Sequence, residues 1–158
     1  MNYEDLLKYL TPSLSFFNKS FSSKEELFKD IYDNAFKNSY VTEEFYEKIS
    51  LREEKYPTGI DLENVGVAIP HTDAEYVKKE FVSIYVLKEP TIFQSMEDET
   101  KEVLVTIVFV LGLKAPHNQL EMLQTLIGLM QDEALIKKFK KLKDFGEMEF
   151  LLIEEGDK

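Results

Sequence analysis

The sequence predicts an α/β fold, a single domain whose central mixed β-sheet is flanked by helices on both faces. Two observations carry this. Apolar residues recur at helical spacing in the N-terminal and C-terminal thirds, and three extended segments rich in β-branched and aromatic residues lie between them. A chain of 158 residues holds one ordinary core and is short for two, and no Gly/Ser linker, low-complexity tract or repeat divides it.

The elements follow in order. Ser22 and Ser23 each precede a glutamate three residues on, Glu25 and Glu26, the pattern of a helix-capping box. Leu27, Phe28, Ile31, Ala35 and Phe36 then give a helix to about Asn38 one apolar face. Thr42 opens a second helical pattern with Phe45, Ile49 and Leu51 inward, and Pro57-Thr58-Gly59 ends it, which puts Arg52 near its C-terminus. Val65–Ile69, Phe81–Leu87 and Val103–Leu111 read as strands. Asn118 with Glu121 predicts the next helix start, and Leu120, Leu123, Leu126, Ile127 and Met130 supply its apolar face. A further helix over about Glu133–Lys140 follows Asp132. Asp144 with Glu147 predicts a last helix through Phe150 and Leu152, with a strand over Glu147–Ile153 as the alternative. Residues 22–154 form the expected domain. Residues 1–21 are an N-terminal extension, a packed helix or a loose arm.

Charge narrows the partners. With 19 Lys+Arg against 30 Asp+Glu the formal net charge is -11, so phosphate backbones are repelled and nucleic acid is not expected. The same field favours a basic protein. Lys137, Lys138, Lys140, Lys141 and Lys143 form a basic cluster against this background, read as a solvated helix end. There is no cysteine, hence no disulfide, thiolate nucleophile or Cys-based metal site. Met1–Leu10 carries Glu4 and Asp5 and lacks the basic start and apolar stretch of a signal peptide, which makes the cytoplasm the expected location. The longest apolar run, Val103–Leu113, falls short of the roughly 20 residues that span a membrane.

The two histidines are the candidates for chemistry. His71 stands in Val67-Ala68-Ile69-Pro70-His71-Thr72-Asp73 and His117 in Ala115-Pro116-His117-Asn118, each expected in a short loop after a strand and each preceded by proline. Proline fixes its own φ and restricts the residue before it, so both loops take a defined path. The plain reading is a histidine that caps a loop. Against it stand an imidazole able to act as nucleophile near neutrality, a helix N-terminus after His117 suited to anionic oxygens, and Arg52 as a permanent cation. Asp73 beside His71 is a weak metal constellation.

Gly66-Val67-Ala68-Ile69-Pro70-His71, with Arg52-Glu53-Glu54 upstream and His117 leading into Asn118-Gln119-Leu120, resembles the type-2 IIA family of the fructose, mannitol and galactitol phosphotransferase systems. The resemblance spans about residues 22–152, and Arg52–Ile60, with its Tyr56-Pro57-Thr58-Gly59, looks most like the galactitol-type branch. It implies that His71 accepts a phosphoryl group from the histidine of the phosphocarrier HPr, at Nε2, and passes it to a cysteine of component IIB. Arg52 matches the family's phosphoryl-binding arginine. His117 falls where mannitol- and fructose-like members carry a second active-site histidine. The resemblance implies no metal or organic cofactor and, since these residues include no cysteine, a IIB partner on a separate chain. A regulatory phosphoprotein of the nitrogen-related class is the alternative. A metal hydrolase or an inert binding module is a third reading.

Overall fold

The computed structural model describes residues 1–158, and its architecture is the expected one: a five-stranded mixed sheet covered by helices on both faces. The helices are α1 (Tyr3–Tyr9), α2 (Lys24–Lys37), α3 (Phe45–Lys55), α4 (Pro116–Met130), α5 (Glu133–Lys140) and α6 (Phe145–Gly156). The strands are β1 (Phe16–Lys19), β2 (Gly59–Leu62), β3 (Val65–Ala68), β4 (Phe81–Gln94) and β5 (Glu102–Gly112), ordered β1-β4-β5-β3-β2. β4 and β5 form a long antiparallel hairpin; β1 joins β4 and β3 joins β5 in parallel, and β2 folds back on β3.

Alternation along the central strands builds two cores. Val82, Ile84 and Val86 of β4 face one side, with Phe109 and Leu111 of β5 and Leu126, Phe139 and Met148 of α4, α5 and α6. Phe81, Tyr85 and Leu87 face the other, with Leu27, Phe28 and Ile31 of α2 and Phe45 and Ile49 of α3. Period-2 side chains on strands and period-3.6 side chains on helices meet here as the pattern requires. Local caps agree: Ser23 Oγ accepts the Glu26 amide, Asp132 accepts that of Leu135, and Asp144 accepts that of Glu147, the last fixing residues 145–156 as helix and excluding the strand alternative.

Several expectations are corrected. Residues 1–21, left open between a packed helix and a loose arm, are packed: α1 buries Leu6, Leu10 joins the same core and Leu14 the second, and the unforeseen β1 is an edge strand of the sheet. Polar contacts tie the segment down as well, from Thr11 N–H to the Val82 carbonyl at 2.9 Å and from Ile84 N–H to Ser15 Oγ at 3.2 Å. The boundary at residue 22 is therefore no boundary of the core. Strands β1 and β2 escape the sequence reading because, unlike the equally short but fully buried β3, they are only partly buried and carry polar residues, Asn18 and Lys19 in β1 and Asp61 in β2, in place of a β-branched run. Leu51 points outward at 51% exposure, since the buried positions of α3 are Phe45, Ile49 and Glu53, four apart, and Leu51 lies about half a turn away. Phe36 on α2 is likewise exposed. α4 starts at Pro116, not Asn118, and Ala115 is its N-cap, without a side-chain hydrogen bond. Its buried face is Met122, Leu126, Leu129 and Met130, which leaves Leu120 and Ile127 outside.

Because Leu6 is fully buried, Leu6→Ala should destabilise the protein by about 2–5 kcal/mol, the usual cost of emptying a core leucine site. Urea unfolding checks this. A change within about 0.5 kcal/mol, as for a surface position, would mean the N-terminal helix is not part of the core.

Candidate active site

β3 and β5 run parallel, so the segments leaving their C-terminal ends emerge at the same edge of the sheet. Residues 69–72 continue from β3, and His71 pairs as an isolated bridge with Leu111 near the end of β5, with Leu111 N–H donating to the Pro70 carbonyl at 3.2 Å. Pro70 lacks a backbone donor, and its carbonyl is held to the neighbouring strand. The path to His71 is thereby fixed on both sides.

The His71 ring is held by its own chain. Nδ1 lies 2.8 Å from the Ile69 carbonyl oxygen. A carbonyl can only accept, so Nδ1 carries the proton and donates, and in the neutral ring Nε2 keeps its lone pair. His71 is 9% exposed. Burial pushes its pKa below the ordinary imidazole value; the hydrogen bond to Ile69 and the charge of Asp73 act against this, and the charge of Arg52 acts with it. The result is a neutral imidazole with one free nitrogen.

His71 opens onto a cleft that it lines with Arg52, Tyr56, Thr58, Ser95 and Met96, with Lys55, Glu97 and Glu99 completing the charged border. Arg52 comes from the last turn of α3, where a cation is favoured by the helix dipole. Its guanidinium lies 3.8 Å from Asp73 and 5.5 Å from the centre of the Tyr56 ring, and its Nε is buried without a hydrogen-bond partner. Arg52 therefore has donor capacity to spare. Ser95 and Met96 reach the cleft because Gly59 lets the end of β4 approach: Met96 N–H donates to the Gly59 carbonyl at 2.7 Å, and a Cβ on Gly59 would collide with the backbone of Gln94.

The sequence reading placed His71, Arg52 and His117 in one site. The structure brings His71 and Arg52 into one cleft and leaves His117 off its lining. His117 sits in the first turn of α4 and not in a loop, because Pro116 occupies the first helical position. Its ring is 79% exposed and its Nε2 faces the Glu121 carboxylate one turn on, at 3.3 Å. Among Asp73 and its neighbours no group of three or more His, Asp or Glu gathers as a metal cage, and Asp73 turns instead to Arg52.

Two residues were missed as parts of the site. Glu53 is 2% exposed; its carboxylate accepts the Thr58 amide at 2.6 Å and the Thr58 hydroxyl at 2.7 Å. Thr58 Oγ in turn accepts the Ile69 amide at 3.2 Å. Burial pushes the Glu53 pKa up to about 7, against the two Thr58 hydrogen bonds and the charges of Lys24 and Arg52. A folded pKa above the unfolded one means that its contribution to stability is present in the ordinary carboxylate range and is lost as pH rises through about 7. The signal was available in sequence: Glu53 continues the Phe45–Ile49 stripe at the same spacing of four.

Comparison with known proteins agrees with this architecture. The profile of the family described as phosphoenolpyruvate-dependent sugar phosphotransferase system, EIIA 2, matches residues 8–154, a span that begins inside α1. The galactitol-specific EIIA component of the PTS system of Escherichia coli is 30% identical over 120 residues, 75% of this chain and 78% of that protein. The nitrogen regulatory protein IIA-Ntr of Neisseria meningitidis shares the fold with a TM-score of 0.78 at 23% identity, over 93% of this chain and 98% of that one. So does a complex of enzyme IIA-Mtl and phosphorylated enzyme IIB-Mtl from Escherichia coli, with a TM-score of 0.74 at 21% identity over 92% and 97% of the two chains.

The environment of His71 sets a titration. With its pKa lowered by burial, protonation favours the unfolded chain, so the ring should titrate with a midpoint below the ordinary imidazole value. An NMR titration of the His71 ring checks this. A midpoint at or above the ordinary value of about 6.5 would contradict it.

Proposed function

Since the chain belongs to the EIIA 2 family of the phosphoenolpyruvate-dependent sugar phosphotransferase system, we propose that it is a phosphoryl carrier in which His71 takes up the phosphoryl group and hands it on. The observation that carries this reading is the hydrogen bond from Nδ1 to the Ile69 carbonyl, which leaves Nε2 with its lone pair as the nucleophile of a ring that lines a cleft with a cation. In the proposed relay Nε2 attacks the phosphorus of phosphohistidine on HPr; the phosphorus–nitrogen bond of the donor breaks and its electron pair returns to the donor ring. A cysteine thiolate of component IIB, on a separate chain, then attacks phosphorus. The bond to Nε2 breaks and its pair returns to the His71 ring, whose Nδ1 keeps its proton throughout.

The transferred group has a loose transition state with negative charge on its equatorial oxygens, so the protein acts by position and charge. Arg52 is assigned to those oxygens, and its place on the cleft lining beside His71 supports this. His117 is assigned the second donor role, taken up when its ring releases Glu121. The relation to a galactitol-specific component supports a galactitol-type sugar, and a relay that takes its phosphoryl group from HPr supports a cytoplasmic location. The regulatory alternative leans on likeness to the nitrogen regulatory protein IIA-Ntr at 23% identity, below the 30% shared with the galactitol-specific component. The onward step to a IIB cysteine separates the two readings.

Incubation with phosphoenolpyruvate, enzyme I and HPr should give an acid-labile, base-stable phosphoryl label that His71→Ala abolishes. Arg52→Leu should slow transfer on the order of 10²-fold, the scale of losing one preorganised donor, and Arg52→Lys should recover part of it. His117→Gln should keep the label and slow its passage to IIB. A fully labelled His71→Ala protein, or wild-type rates in both directions for Arg52→Leu, would overturn the respective assignments.

A further inference from the structure

We infer that Glu53 and Thr58 are positioning residues for the acceptor histidine: the chain of hydrogen bonds from the Glu53 carboxylate through Thr58 to the Ile69 peptide holds the carbonyl that fixes the proton on Nδ1 of His71. The inference deepens the reading of His71 as phosphoryl acceptor and rests on it.

With Glu53 ionised, each link has a determined polarity. The Thr58 hydroxyl has one proton, and it goes to Glu53 Oε1 at 2.7 Å. Its remaining lone pairs are therefore turned to the Ile69 amide at 3.2 Å, while the Thr58 amide is used on Glu53 Oε2 at 2.6 Å. Ile69 has its amide held on one side and offers its carbonyl to His71 Nδ1 at 2.8 Å. The Ile69 amide lies in the 68–69 peptide plane and its carbonyl in the 69–70 plane; the two rigid planes meet at the Ile69 Cα, so pinning the first leaves only the Ile69 dihedrals to swing the carbonyl, and these are restricted because Pro70 follows. Without the anchor the ring is free to take the other tautomer, in which Nε2 carries the proton and cannot attack.

Burial makes this costly to maintain for packing alone. Glu53 and Thr58 are 2% and 5% exposed, and a carboxylate at a position continuous with Phe45 and Ile49 displaces an apolar side chain from the core. A raised proton affinity agrees with that cost. The same helix turn also supplies Arg52, so residue 52 faces the cleft and residue 53 faces the loop that carries the histidine. One rigid helix end sets both the cation and the nucleophile.

The test compares Thr58→Val, which keeps the shape and removes the hydroxyl, with Thr58→Ser, which keeps the hydroxyl, in the full chain. Nitrogen-15 shifts of the unphosphorylated His71 ring report the tautomer, and single-turnover transfer from phosphorylated HPr reports the rate. Thr58→Val should shift the neutral ring toward the Nε2-protonated tautomer and slow transfer about tenfold, the rate equivalent of one hydrogen bond, with the affinity for HPr unchanged. Thr58→Ser should restore the tautomer and most of the rate. Should Thr58→Val fail to fold, Glu53→Gln carries the test, because its amide can accept only one of the two Thr58 donors and competes for the hydroxyl; it should move tautomer and rate in the same direction. Wild-type ring shifts and rate in a folded Thr58→Val or Glu53→Gln protein, or equal loss in Thr58→Val and Thr58→Ser, would overturn the inference. Absence of label on His71 in the wild type would instead overturn the reading of His71 on which it rests.

Discussion

A backbone carbonyl has no proton to give, and this simple asymmetry governs the candidate site. The 2.8 Å contact between the Ile69 carbonyl and Nδ1 of His71 decides which ring nitrogen is protonated and which is free. Burial adds a second constraint by keeping the ring neutral, and the neutral ring with a free Nε2 is the form in which imidazole is a nucleophile. The surrounding structure can be understood as what holds that carbonyl, excludes water from one side of the ring and leaves the other side open to the cleft.

The fold supplies these conditions through its strand order. Parallel pairing of β3 and β5 sends residues 69–72 and the segment before α4 out of the same sheet edge. The antiparallel β2 brings Gly59 and Thr58 back beside β3, and the close approach at Gly59 draws Ser95 and Met96 to the cleft. Two cores, one on each face of the sheet, clamp the central strands so that this edge is set by packing and not by the loop itself. The N-terminal strand β1 closes the far side of the sheet, and its partner β4 is the strand whose end reaches the cleft.

Much of this is legible in sequence, and the failures have physical reasons. The β-branched runs over residues 65–69, 81–87 and 103–111 mark the central strands because buried strands need such side chains on both faces. Capping signals at Ser23, Asp132 and Asp144 are local chemistry and survive intact. β1 and β2 are no shorter than β3 but lie at the sheet edges, partly buried, and lack its β-branched run. Leu51 and Leu120 are apolar yet exposed, since a leucine's character does not say on which side of a helix it falls. Glu53 shows the reverse case: a charge hides an inward position that the spacing from Phe45 and Ile49 reveals. The His71–Arg52 pairing was legible through motif resemblance, whereas the place of His117 was not, because Pro116 reads equally as a loop residue and as a helix start.

The central claim concerns which atom is free to bond to phosphorus. In protein phosphorylated by HPr, nitrogen-15 labelling of the histidine rings with phosphorus-31 coupling identifies the bonded nitrogen directly. The account predicts phosphorus on Nε2 of His71, with Nδ1 still protonated and close to the Ile69 carbonyl. Phosphorus on Nδ1 of His71, or on His117, would contradict it.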